Sequence, residues 1–192
     1  MAKIKIIHLH LFCIFICSSL FGQDTITLDG LTTVEKRACL KELYDSQIGV
    51  RETGANMGIH VAKYLKSVGL KEGYAWCAGF VSWCYQNAGI QTPKSAWVPS
   101  YAIKGKRIYH RGKYEFKIPQ KGDVFMIWST QLNRPAHIGF IDQWKDQWVI
   151  TVEGNTNNNG SREGDGVYRK RRLKKQIWAV SDFISTTSNQ CY

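Results

Sequence analysis

Four polar residues, Cys77, His137, Glu153 and Asn155, each stand at the border of an apolar run, where a side chain is rigidly mounted yet near solvent. A thiol attacks as its thiolate and needs a base. Trp76-Cys77-Ala78 opens an apolar helical stretch, and a cysteine at a helix N-terminus meets unpaired N–H groups and the positive end of the dipole, which favour thiolate. His60, His110 and His137 are the histidines beyond the N-terminal apolar run. His60 and His110 read as surface residues, whereas His137 follows the Asn133-Arg134-Pro135 turn and begins a strand. Glu153-Gly154-Asn155 closes the next strand and supplies two side chains able to orient an imidazole. A buried inert thiol and a structural histidine are the bland alternatives, and Cys84, on the apolar face of the same helix, is read as core.

The elements that must position these residues follow from pattern. Thr32 and Glu35 form a capping box for a first helix that runs toward Gly49. Residues 60–68 give a second helix stopped by Gly69, and Cys77 to Ala88 a third stopped by Gly89. From Asp123 the texture becomes β-branched and aromatic, with five candidate strands at residues 124–128, 137–144, 148–153, 167–172 and 177–183. Residues 91–122, with Pro93, Pro99 and Pro119, read as a long connection holding at most a helical turn. Helices first and strands afterwards imply a single α+β domain, its N-terminal helices packed on a C-terminal antiparallel sheet of about five strands.

Register decides whether the polar residues meet. A three-residue loop of Lys145, Asp146 and Gln147 sets Trp144 opposite Trp148 and His137 opposite Asn155, with Glu153 diagonal on the same face. A two-residue turn sends Glu153 and Asn155 to the other face unless a bulge intervenes, so an odd loop is expected.

The series Trp76-Cys77-Ala78-Gly79-Phe80-Val81, His137-Ile138-Gly139 and Glu153-Gly154-Asn155 resembles the CHAP family of cysteine, histidine-dependent amidohydrolases and peptidases, over roughly residues 45 to 155. Residues 48–52 and Gly122-Asp123-Val124 add to the likeness. The NlpC/P60 enzymes look less close, because their nucleophile motif resembles Asp-Cys-Ser-Gly. The resemblance implies a papain-like fold and cleavage of peptidoglycan, either at the amide joining muramic acid to L-alanine or within the peptide stem. It casts Cys77 as nucleophile, His137 as base and acid, Glu153 as its orienter and Asn155 as an assistant, with Trp76 contacting substrate. No metal and no cofactor are expected: acidic residues before the cysteine are scattered, and no His-Glu-x-x-His or Cys-x-x-Cys pair occurs.

Composition bounds the setting. A hydrophobic fraction of 44% and a charged fraction of 21% favour neither disorder nor a membrane bundle, and 192 residues suit one domain. Lys3 and Lys5 precede an apolar run to Phe21 that ends in small residues, the layout of a signal peptide over residues 1–22, so an exported, periplasmic or extracellular monomer spanning residues 23–192 is expected. Losing Lys3 and Lys5 lowers the formal charge from +11 by two, and the remaining domain stays strongly basic. The run Arg169, Lys170, Arg171 and Arg172 suits an anionic envelope polymer, or simply a charged sheet edge; with export, a nucleic-acid partner is not expected. Two other functions stay open: a silent envelope-binding module with a buried thiol, and a Cys-His acyltransferase or deamidase acting on protein.

Overall fold

The computed structural model describes residues 31–158 and 164–185. The expected signal peptide and Cys191 lie outside them. Three helices, α1 (Thr33–Ser46), α2 (Ile59–Lys66) and α3 (Cys77–Asn87), precede the main strands. Each begins and ends where local chemistry dictates. Thr32 Oγ1 accepts from the Glu35 N–H at 3.3 Å while Glu35 Oε2 accepts from the Thr32 N–H at 2.8 Å, the reciprocal cap that starts α1. Helix α3 stops at Gly89, whose φ of +63° lets the Ile90 N–H turn back to the Tyr85 carbonyl at 2.9 Å.

Among the described residues seven strands form one antiparallel sheet: β1 (Arg107–His110), β2 (Lys113–Tyr114), β3 (Val124–Ser129), β4 (Arg134–Trp144), β5 (Trp148–Thr156), β6 (Gly166–Leu173) and β7 (Ala179–Ser181), in the order β2-β1-β7-β3-β4-β5-β6. The α+β architecture with helices N-terminal to the sheet is the expected one; the count is two higher. The additional strands β1 and β2 lie in the segment read as a connection, which also holds a 3-10 turn over Val98–Tyr101. They meet at Arg111 and Gly112, with φ of +46° and +88°, a two-residue turn that carries Arg-Gly where Asn-Gly is the usual signal.

The sheet is buried on both faces. Val124, Met126, Ile138, Phe140 and Val152 pack with Tyr44, Leu65, Phe80 and Tyr85 of the helices. Phe125, Ile141, Val149 and Val180 form a smaller cluster on the other face. Arg37 of α1 ties the layers together: its guanidinium, nearly buried, pairs with Asp123 at 2.8 Å and with Asp182 at 3.2 Å. The backbone turn into β3 requires Gly122, whose φ is +85° and whose added Cβ would lie 2.9 Å from Ile184.

The expected three-residue hairpin loop is corrected. The Lys145 N–H donates to the Trp148 carbonyl at 2.9 Å, leaving Asp146 and Gln147 as the turn, and Trp144 pairs with Val149. Continued unbroken, that register would turn Glu153 away from His137. A β-bulge between Ile141 and Gln143 restores the pairing Ile141 with Thr151 and Phe140 with Val152. The extra residue is Asp142. Its buried carboxylate accepts from Tyr44 Oη at 3.1 Å and pairs with Lys41 and Arg169, each at 3.0 Å, so an ionic cluster at α1 holds the bulge in place.

Candidate active site

Cys77 is the first residue of α3, where the first-turn N–H groups have no partner inside the helix. It is 5% exposed and lines a cleft of about 300 Å3 together with Leu70, Tyr74, Trp97, Arg134 and Ala136. The opposing wall comes from β4. A second bulge, between Ile127 and Trp128, leaves Ala136 as the extra residue directly before His137.

His137 Nε2 lies 2.8 Å from Glu153 Oε2. Glu153 is fully buried and acceptor-only, so Nε2–H donates to it and Nδ1 is the ring nitrogen left to face the thiol. The carboxylate is held from three sides. Arg172 Nε donates to Oε1 at 2.6 Å, its Nη2 pairs with Oε2, and Thr151 Oγ1 donates to Oε1 at 2.5 Å. Burial pushes the Glu153 pKa up, but the hydrogen bonds from Arg172 and His137 outweigh it and hold the carboxyl well below its usual range. Burial likewise works against a charged His137, yet hydrogen bonds with Cys77 and Glu153 and their charges prevail, and its pKa is pushed up to about 9. The chain thus keeps a proton on the imidazole near neutral pH, between a thiol and a clamped carboxylate.

Three glycines make room for this arrangement. A Cβ on Gly139 would lie 2.9 Å from Glu153 Cγ, so the glycine is the gap through which the glutamate side chain passes to His137. A Cβ on Gly154 would lie 2.8 Å from Phe80 and Trp76, where α3 presses on β5. A Cβ on Gly79 would lie 3.2 Å from the Tyr64 carbonyl, where α2 crosses α3.

The structure brings Cys77, His137 and Glu153 together and gives the other expected site residues different surroundings. Asn155, with φ of +52°, accepts from the Trp76 N–H at 3.1 Å through Oδ1 and donates to Asn56 Oδ1 at 3.1 Å. It fixes the entry to α3 rather than the imidazole. Trp76, expected to contact substrate, is fully buried, stacked on Tyr64 at 5.5 Å between ring centroids, and its Nε1–H donates to Glu52 Oε2 at 3.1 Å. An indole at the helix N-cap points into the α2/α3 interface, a direction that adjacency in sequence does not convey. His60 is exposed, and His110 packs edge-on against Trp178 at 4.9 Å. Cys84 is fully buried, and burial raises its pKa well above the ordinary thiol value.

Arg172 and Thr151 are the residues sequence reasoning missed. The signal was present in the β5/β6 register, where Val149 pairs with Arg172 and Thr151 with Lys170, aligning Arg172 on the face of Thr151 and Glu153. The basic run is therefore divided. Arg172 serves Glu153, Arg169 pairs with Asp142 and Asp45, Lys170 donates to Thr156 Oγ1 at 3.3 Å, and Arg171 lies over the Trp148 ring at 3.8 Å.

The His137 shift has a consequence for stability. A pKa raised from an ordinary 6.5 to about 9 contributes stability that is fully present below pH 6.5 and lost as pH rises through 9. Glu153, with its pKa depressed, contributes stability present above the unfolded carboxyl range near 4.5 and lost as pH falls. Thermal unfolding of the wild type should therefore show a midpoint that declines between pH 6.5 and 9.5, and His137→Gln should flatten that decline. Equal declines in both proteins would contradict the assigned shift.

Residues 69–155 match the model of the CHAP domain, a span that contains Cys77, His137, Glu153 and Asn155. No curated protein and no solved structure matches the chain. Over residues 69–155, somewhat under half of its length, the chain is similar to the CHAP domain, a cysteine- and histidine-dependent amidohydrolase or peptidase domain, and the likeness is consistent with the papain-like type.

Proposed function

We propose that the protein is an exported hydrolase that cuts amide bonds of peptidoglycan through a thioester on Cys77. The observation that carries the catalytic part is the His137–Glu153 contact of 2.8 Å beside a cysteine at the start of α3, all in one span of CHAP sequence. The proton of the thiol already rests on His137 Nδ1 near neutral pH, and the Cys77 sulfur attacks the scissile carbonyl carbon. The oxyanion that forms is met by the Cys77 backbone N–H, a donor worth ~3 kcal/mol in comparable hydrolases. Collapse of the intermediate breaks the C–N bond, and His137 returns the proton to the leaving amine. Water, deprotonated by the same imidazole, then releases the acid and restores the thiol.

Two sequence features support the wall as the place of action: the signal-like N-terminus, and the basic balance of +11, which attracts anionic polymer. Arg171 and Lys170 are the members of the basic run best suited to such attraction, since Arg172 and Arg169 are engaged with buried carboxylates. Digestion of defined peptidoglycan fragments, resolved by mass spectrometry, tests the reading. New termini at the muramoyl-alanine amide identify an amidase and new termini within the stem an endopeptidase. Fragments that stay intact beside folded protein sink the peptidoglycan assignment and move it to a protein amide.

A further inference from the structure

The cleft that holds Cys77 carries one charged side chain among its lining residues, Arg134, and no acid. Arg134 begins β4 three residues before His137. Its guanidinium lies 4.0 Å from the centroid of the Trp97 ring, and Trp97 is 52% exposed. Nη1 donates to the Pro135 carbonyl at 3.2 Å, and among the described residues no carboxylate pairs with it. Arg37, Arg107, Arg169 and Arg172 have acidic partners, whereas Arg51, Arg111 and Arg171, like Arg134, lie over aromatic rings; of these four Arg134 alone lines the cleft of Cys77.

A guanidinium held over an indole ring is restrained while N–H groups that face away from the ring can still donate, and a guanidinium matches a carboxylate in two parallel hydrogen bonds. The indole also lowers the entropy lost on binding, since the long side chain is already held. We propose that Arg134, stacked on Trp97, is a subsite for a free carboxylate next to the scissile amide, so that the cleft selects acidic peptides. The inference rests on the reading of this cleft as the substrate cleft. It deepens that reading, because a neutral peptide of the same length would be a poor substrate. Arg134 is a specificity determinant here, acting on the flanking residue and not on the reacting atoms.

The test uses Cys77 itself as reporter. N-iodoacetyl-alanine and its carboxamide differ only in the charge of the terminal group, and each alkylates a thiol by displacing iodide. Alkylation is followed by mass spectrometry of the Cys77 peptide, which separates it from Cys39 and Cys84. The wild type should favour the carboxylate probe by about tenfold, the scale of one charge-assisted pair. Arg134→Gln should lower the ratio of the two rate constants to near one, and Arg134→Lys should keep part of it. Lys175→Gln removes the same charge elsewhere and should leave the ratio as in the wild type. An unchanged ratio in Arg134→Gln, or an equal fall in Lys175→Gln, overturns the subsite. The peptidoglycan reading fails separately: a wild type that is anion-selective at Cys77 but leaves wall fragments intact keeps the subsite and loses that substrate. A Cys77 that reacts with neither probe overturns both.

Discussion

Cys77→Ala is expected to reduce hydrolysis to background, a loss of about 10^5-fold or more, while unfolding within about 1 kcal/mol of the wild type. The magnitude follows from the geometry. His137 and Glu153 can move a proton and align a ring, but without sulfur there is no atom at the start of α3 to form the thioester, and residual acceleration comes only from binding and the backbone donors. The stability effect is small because Cys77 borders the cleft, so removing its sulfur leaves space that water enters. Cys84→Ala provides the opposite pattern. That thiol is fully buried on the apolar face of α3, and its removal should cost about 1–2 kcal/mol with activity per folded molecule retained. Parallel measurement of turnover and thermal unfolding separates the two cysteines; loss of turnover in Cys84→Ala with Cys77→Ala still active would reverse their roles.

Arg172→Met is expected to be the most destabilising change in the basic run, by about 3–5 kcal/mol. Glu153 is fully buried and, with Arg172 gone, keeps only Thr151 and His137 as partners. Its charge would then be buried and under-compensated, and the carboxyl would shift toward protonation. For a domain of this size the unfolding midpoint should fall by roughly 10 °C. Arg171→Met is the matched control. Its guanidinium lies over Trp148 outside the site, and the expected change is within about 0.5 kcal/mol. Equal effects of the two substitutions would show that Arg172 is a surface charge and not a clamp on Glu153.

Much of this organisation was legible in the chain. The capping box at Thr32 and Glu35 and the glycine stops at Gly69 and Gly89 act through neighbours three to five residues away, which is the range over which sequence pattern speaks. The placement of Cys77 at the start of α3 is of the same kind. Strand register is different, because its determinant here is tertiary. The residue that shifts β4 into phase, Asp142, is an unremarkable acid in sequence and becomes a bulge only because Tyr44, Lys41 and Arg169 converge on it. The constellation of His137 and Glu153 was thus inferred correctly through the wrong hairpin loop. Strands β1 and β2 were missed because a four-residue and a two-residue strand joined by Arg111-Gly112 leave almost no periodicity to read. The burial of Trp76 is not legible because proximity to a nucleophile says nothing about side-chain direction, and the role of Arg172 is not legible because the basic run as a whole reads as a charged edge.

The most direct test of the central claim is to trap the acyl-enzyme. Wild type mixed with peptidoglycan fragments, quenched in acid within the first turnovers and digested, should yield a Cys77 peptide heavier by the mass of the acyl portion of the substrate, with no adduct on the Cys39 or Cys84 peptides. Cleavage that proceeds without any adduct on Cys77, and equally well in Cys77→Ala, would contradict the thioester mechanism and the site assigned to it.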